Sequence, residues 1–230
     1  MRFGVCTGID NAPLLKEVGF DYIELSMNSL AELTEEQMRE RESILKSLDL
    51  RAETYNGFYD STKRVVGEDT TPEDELRDYT HRVLERAARL GGQIAVYGSS
   101  KARNIPEGFS RERAYEQFCH FARLSGEIAQ QYGLVVVLEP LNKLETNFFH
   151  TVEEGLQIMR DVDHPNVRVL ADMYHVCKER KILPMLCRPV KICAMFILQN
   201  PMCVRFPVLK TALITPHSPP PCVRQVITPA

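Results

Sequence analysis

Six short apolar runs recur along this chain, at residues 3–6, 22–25, 51–55, 94–97, 135–139 and 167–171, with segments of helical spacing between them. Runs of this kind, rich in β-branched residues and bounded by turn residues, read as strands buried on both faces. A strand followed by a helix and a further strand calls for parallel pairing, because the helical crossover returns the chain to the same end of the sheet. Repeated six times, the pattern leaves two architectures for 230 residues in one domain: a closed eight-stranded barrel or an open doubly wound sheet. The segment after the first run, Cys6-Thr7-Gly8-Ile9-Asp10-Asn11, lacks the spaced glycines of a dinucleotide fingerprint, and this lowers the open-sheet reading.

The intervening helices carry their own punctuation. Thr34-Glu35-Glu36-Gln37 and Thr151-Val152-Glu153-Glu154 are capping boxes, in which a hydroxyl and a side-chain carbonyl or carboxylate satisfy orphan N–H groups. Thr71-Pro72 places a cap before a first-turn proline, and Gly19, Gly91 and Gly133 stand where left-handed C-caps belong. In the longest helical stretch Tyr115, Phe118, Cys119, Ala122, Ser125, Ile128, Ala129 and Tyr132 share one face, which reads as packing.

A net charge of −3 without any Lys/Arg block gives no electrostatic footprint for nucleic acid or an anionic membrane. No signal-peptide core follows Met1 and no apolar stretch reaches spanning length, so a soluble, cytoplasmic protein is expected. Seven cysteines, an odd number without zinc-type pairs, point to reduced thiols.

Two of the runs end on a carboxylate. Val135-Val136-Val137-Leu138-Glu139 and Val167-Arg168-Val169-Leu170-Ala171-Asp172 each put a charge where it is unfavourable unless the strand opens into a cleft, and His175 follows three residues after Asp172. In parallel barrels that cleft lies at the C-terminal strand ends, so Glu139, Asp172 and His175 form a candidate metal site. The bland alternatives are a strand-end carboxylate paired with a cation such as Lys143, and a satisfied structural histidine.

Composition breaks near residue 181. Residues 181–230 hold no Asp, Glu or Gly, yet they carry Cys187, Cys193, Cys203, Cys222 and the run Pro219-Pro220-Pro221. An atypical tail of low order, a Cys-rich module and translation in a shifted reading frame all compete. The apolar run 192–198 weakens the first and the lack of ligand spacing weakens the second. Codons can be chosen for 194–200 such that the same bases, read from the third position of the first codon, spell HVHIAE; 213–218 can give DYTPF in the same way.

Several stretches resemble the xylose isomerase-like TIM-barrel superfamily, in particular its sugar phosphate isomerase/epimerase branch, which is similar to the ketose 3-epimerases. They are Phe3-Gly4-Val5-Cys6-Thr7-Gly8, Gly19-Phe20-Asp21-Tyr22-Ile23-Glu24-Leu25, Gly98-Ser99-Ser100, Arg103-Asn104-Ile105-Pro106-Glu107-Gly108-Phe109-Ser110, Leu138-Glu139-Pro140-Leu141-Asn142 with Glu145 beyond it, and Leu170-Ala171-Asp172-Met173-Tyr174-His175. The resemblance covers residues 1–180 and implies an α/β, TIM-barrel-type chain that is incomplete, with strands one to six recognisable and the C-terminal strands absent or corrupted. It also implies a divalent ion (manganese, cobalt or magnesium) held by Glu139 and Asp172, with Glu139 as a general acid/base, and with His175 and Glu145 on a sugar substrate. The family's next ligands, a histidine in a strand reading much like HVHIA and a final Glu, have no counterpart here; no Glu follows Glu179. The shifted frame restores that histidine motif.

The expected activity is proton transfer next to a carbonyl through an enediolate, on a small-molecule sugar, with a homo-oligomer compatible and no nucleic acid or membrane partner. Rivals are a dehydratase or keto-acid isomerase using the same ion, an inactive truncated fragment, and an apurinic endonuclease. The endonuclease needs extra histidines at the second to fourth strand ends, where Leu25-Ser26, Tyr55-Asn56 and Tyr97-Gly98 stand instead.

Overall fold

A computed structural model describes residues 2–178, 194–198 and 222–227. In chain order the elements are β1 (Arg2–Cys6), a 3₁₀ turn (Ile9–Asn11), α1 (Ala12–Val18), β2 (Tyr22–Ser26), α2 (Asn28–Ala31), α3 (Glu35–Ser47), β3 (Ala52–Asn56), α4 (Glu73–Arg89), β4 (Ile94–Tyr97), α5 (Ser100–Arg103), α6 (Arg111–Gln131), β5 (Val135–Leu138), α7 (Val152–Val162), β6 (Val167–Val169), α8 (Met173–Lys178), β7 (Ala194–Leu198) and β8 (Cys222–Ile227). All six strands expected from the apolar runs are present. Strands β1 to β6 pair in sequence order and in parallel, through registers such as Cys6↔Glu24, Tyr55↔Ala95 and Tyr97↔Leu138. Helices on the crossovers fit this parallel pairing, and the six strands form one continuous parallel arc.

Beyond β6 the pattern changes. β8 lies on β1 in antiparallel register, with Cys6 opposite Cys222, and β7 lies antiparallel to β8, which gives the order β6-β5-β4-β3-β2-β1-β8-β7. Two strands therefore do stand in the C-terminal part, and one of them has the polarity an all-parallel barrel would not contain. Antiparallel pairing needs no helical crossover, in keeping with the absence of capped helical text from this part of the sequence. The expectation of low order for 181–230 falls chiefly on 181–193, 199–221 and 228–230, which lie outside the described residues.

The caps do the work their chemistry suggests. Thr34 and Thr151 each accept from the backbone N–H three residues on, while Gln37 and Glu154 return the bond to the cap's own N–H. Gly19 closes α1 in the left-handed region at φ 91°. Thr71 differs from expectation: α4 starts one residue later, behind Pro72, and the Thr71 hydroxyl instead accepts from the N–H of Arg64 at 2.9 Å.

Strand alternation sorts the sheet's two faces. The helix-covered face carries Tyr55, Tyr97, Val136 and Leu138 into one large apolar cluster with Phe58 and Phe118, where Tyr97 stacks on Phe58 at 5.2 Å between ring centroids. The opposite face carries a smaller cluster of Ile94, Val96, Val137 and Leu170. Next to it, Glu24 is fully buried and accepts from the Thr54 hydroxyl at 2.9 Å and the Asn56 amide at 2.8 Å. Among the described residues no helix is long and apolar enough to cross a membrane.

Candidate metal centre

Glu139 follows β5 directly and keeps its alternation, on the side of Val135 and Val137; Asp172 likewise follows Leu170 beyond β6. The ladder runs past both strand ends, since Glu139 N–H donates to the Tyr97 carbonyl and Leu170 N–H to the Leu138 carbonyl. Parity and register thus bring the two carboxylates to one rim. His175, on the first turn of α8, joins them: one ligand atom each from Glu139, Asp172 and His175 lies within 4.8 Å of the others, and all three residues are buried. The three residues singled out in the sequence are thus brought together at the C-terminal strand ends.

Each member is held from behind. One Asp172 oxygen, Oδ1, accepts the N–H of Tyr174 at 2.7 Å and so starts α8, while Oδ2 faces His175 Nε2 at 3.6 Å. His175 Nδ1 accepts from the backbone N–H of Asn142 at 3.1 Å and lies 2.9 Å from its side-chain amide. A backbone N–H can only donate, so Nδ1 is the acceptor and the neutral ring carries its proton on Nε2, towards Asp172. The Asn142 amide also donates to Glu145 Oε1 at 2.7 Å, and that oxygen lies 3.8 Å from His175 Nδ1. Glu145 is accordingly linked to the cluster through Asn142 while standing more open to solvent.

Glu139, Glu145, Asp172 and His175 line a cavity of about 520 Å³. Asn28, Tyr59, Asp60 and Lys101 line other parts of it, which makes a predominantly polar chamber large enough for a small polyol. Asn56 is not among its lining residues. Gly57 takes a left-handed turn at φ 62°, and the Asn56 amide points to Glu24 and to Cys6 Sγ and belongs to the interior network.

Arg103, missed in the sequence, is fully buried behind the rim. Its Nη2 donates to the Glu139 carbonyl at 2.7 Å and its guanidinium lies 4.2 Å from the Phe149 ring centroid. Burial pulls its pKa down to about 10, against the opposing influence of Glu139, Tyr97 and Glu145, so it stays charged at neutral pH. Its Nε and Nη1 have no hydrogen-bond partner among the described residues. Two buried carboxylates side by side suit a hard-to-borderline divalent ion, with His175 Nε2–H beside them as a donor and not as a ligand. The residues present therefore fit such an ion.

Comparison with known proteins follows the same line. A family model described as xylose isomerase-like TIM barrel matches residues 12–192. The chain is 26% identical over 172 residues to 3-dehydro-D-guloside 4-epimerase of Escherichia coli, an alignment covering 70% of this chain and 62% of that protein. It is 23% identical over 165 residues to D-psicose 3-epimerase of Ruminiclostridium cellulolyticum, covering 70% of this chain and 55% of that one. A crystal structure of D-psicose 3-epimerase in the presence of D-fructose superposes with a TM-score of 0.69 at 19% identity, over 78% of this chain and 66% of the other, a likeness of fold. The chain thus spans between about half and two thirds of the length of the curated relatives it matches.

Proposed function

The chain belongs to the xylose isomerase-like TIM-barrel family, and on that footing we propose that its barrel portion is that of a divalent-metal-dependent isomerase or epimerase of a sugar or sugar phosphate. The observation that carries the reading is the convergence of Glu139, Asp172 and His175 within 4.8 Å at the strand ends, facing a polar cavity. Glu139 and Asp172 would hold the ion, which when bound supplies Lewis-acid polarisation of a carbonyl. Glu139 then serves as the base: its carboxylate takes a proton from the carbon next to the carbonyl, and the C–H electron pair passes into an enediolate. His175, with the proton on Nε2, donates to a substrate oxygen, and Asn142 fixes that tautomer from the Nδ1 side. Glu145 accepts from a further hydroxyl.

Returning the proton to the opposite face of the carbon requires a second acid/base, and no Glu follows Glu179. Residues 1–180 are proposed as the barrel portion and 181–230 as a tail read in a shifted frame. The polypeptide as it stands is then expected to bind manganese weakly and turn over no ketose, while a frame-corrected version binds the ion and turns over a ketose. Calorimetric Mn²⁺ titration of the two proteins, followed by an isomerisation assay on a panel of ketoses, tests the reading. Equal, negligible Mn²⁺ binding by both would remove it, and a clean gene sequence encoding this tail in independent isolates would remove the shifted frame.

A further inference from the structure

We propose that Gly98 is a positioning residue for Glu139: the missing side chain at this position lets the Glu139 carboxylate lie across the end of β4 and meet Asp172 and His175. The inference rests on the cation reading above and adds to it a residue that lines the same cavity and acts through Glu139. Gly98 stands one step past the registered pair Tyr97↔Leu138, hence directly beside Glu139 on the neighbouring strand, and on the inward side shared by Ile94 and Val96. A Cβ built on Gly98 would overlap Glu139 Oε2, and would come 3.1 Å from its Cδ and 3.5 Å from its Cβ. No backbone need explains the glycine. Gly98 is absent from the glycines in the left-handed region, which are Gly19, Gly57, Gly67, Gly91, Gly108 and Gly133, so an L-residue could adopt its conformation. What excludes a side chain is the close approach of the carboxylate.

The backbone on the Glu139 side is pinned. Its N–H donates to the Tyr97 carbonyl at 3.3 Å and its carbonyl accepts from the buried Arg103 at 2.7 Å. Under pressure from a methyl group at 98, the part free to yield is the far end of the Glu139 side chain, which swings by rotation about its χ angles. The expected result of Gly98→Ala is a folded protein with a displaced ligand.

The test compares the 230-residue wild type with Gly98→Ala and with Gly8→Ala, a glycine whose added Cβ meets nothing within 4 Å. Thermal unfolding, Mn²⁺ affinity and a crystal structure of Gly98→Ala are measured together. Expected are an unchanged melting temperature, Mn²⁺ binding weakened by about tenfold or more, a carboxylate moved away from Asp172 and His175, and wild-type behaviour of Gly8→Ala. A Glu139 carboxylate that stays with Asp172 and His175 beside the new methyl, at wild-type Mn²⁺ affinity, overturns the proposal. So does a Gly98→Ala chain that fails to fold, because the backbone and not the carboxylate would then have given way. If neither wild type nor the frame-corrected protein takes up Mn²⁺ the cation reading falls, and the carboxylate's position in the Gly98→Ala crystal decides the contact by itself.

Discussion

The helix-covered face of the parallel arc and its inner face are built from the same strands, alternate residue by alternate residue, yet they differ in kind. Outside, Tyr55, Tyr97, Phe58 and Phe118 run together in one apolar cluster with the helices. Inside, apolar contact is limited to a few aliphatic residues, and carboxylates occupy both the strand interior, at Glu24, and the rim, at Glu139 and Asp172. The lesson is a division between a face that supplies burial free energy and one that spends part of it on holding charge out of water.

Substitutions can break or sharpen that contrast. The largest loss is expected outside: Phe118→Ala, at a fully buried ring, should lower stability by about 3–5 kcal/mol in urea unfolding, and a loss no larger than that of a surface residue would erase the distinction. Inside, Asp172→Asn should leave the melting temperature unchanged or raise it, since it removes one of two crowded acids, while weakening Mn²⁺ binding by about 10- to 100-fold in calorimetry. Glu24→Gln lies between these cases. Its one amide group can donate to the Thr54 hydroxyl while the remaining oxygen keeps the Asn56 bond, so the loss is that of charge assistance, about 1 kcal/mol by the same unfolding measurement.

The smallest expected effect is one of pH. Burial raises the pKa of Glu53 above its ordinary value, although Arg2, 2.5 Å away, and Arg51 oppose the shift. The folded state thus holds this proton more tightly than the unfolded chain. Its contribution to stability is full below the unfolded pKa and is lost as pH rises through the folded one. Glu53→Gln should flatten that decline in urea midpoints measured from mildly acidic to neutral pH; an identical pH slope in both proteins would show that the carboxyl is as well solvated as in the unfolded chain.

What could be read from the sequence follows from what is local. The six strands, the two capping boxes and the Gly19 turn depend on neighbours within a few residues, and all appear. Glu139 and Asp172 were legible because a charge closing an apolar run is unfavourable without a cleft. Arg103 was not, since a basic residue in a short polar stretch reads as surface, and its burial depends on Phe149 and the Glu139 carbonyl from distant segments. Asn142 lay inside a noted motif, but its hold on His175 spans 33 positions of sequence. The reversed polarity of β8 had no local signal at all.

The alternation that carries Val135, Val137 and Glu139 to one side has a bearing on descent with modification. Gaining or losing a single codon inside β5 would turn every following side chain to the other face and bury the acid among the helices. Loop lengths between these elements are therefore free to drift among cousins of this protein, whereas the strands behave as rulers whose spacing inheritance can recolour but not stretch.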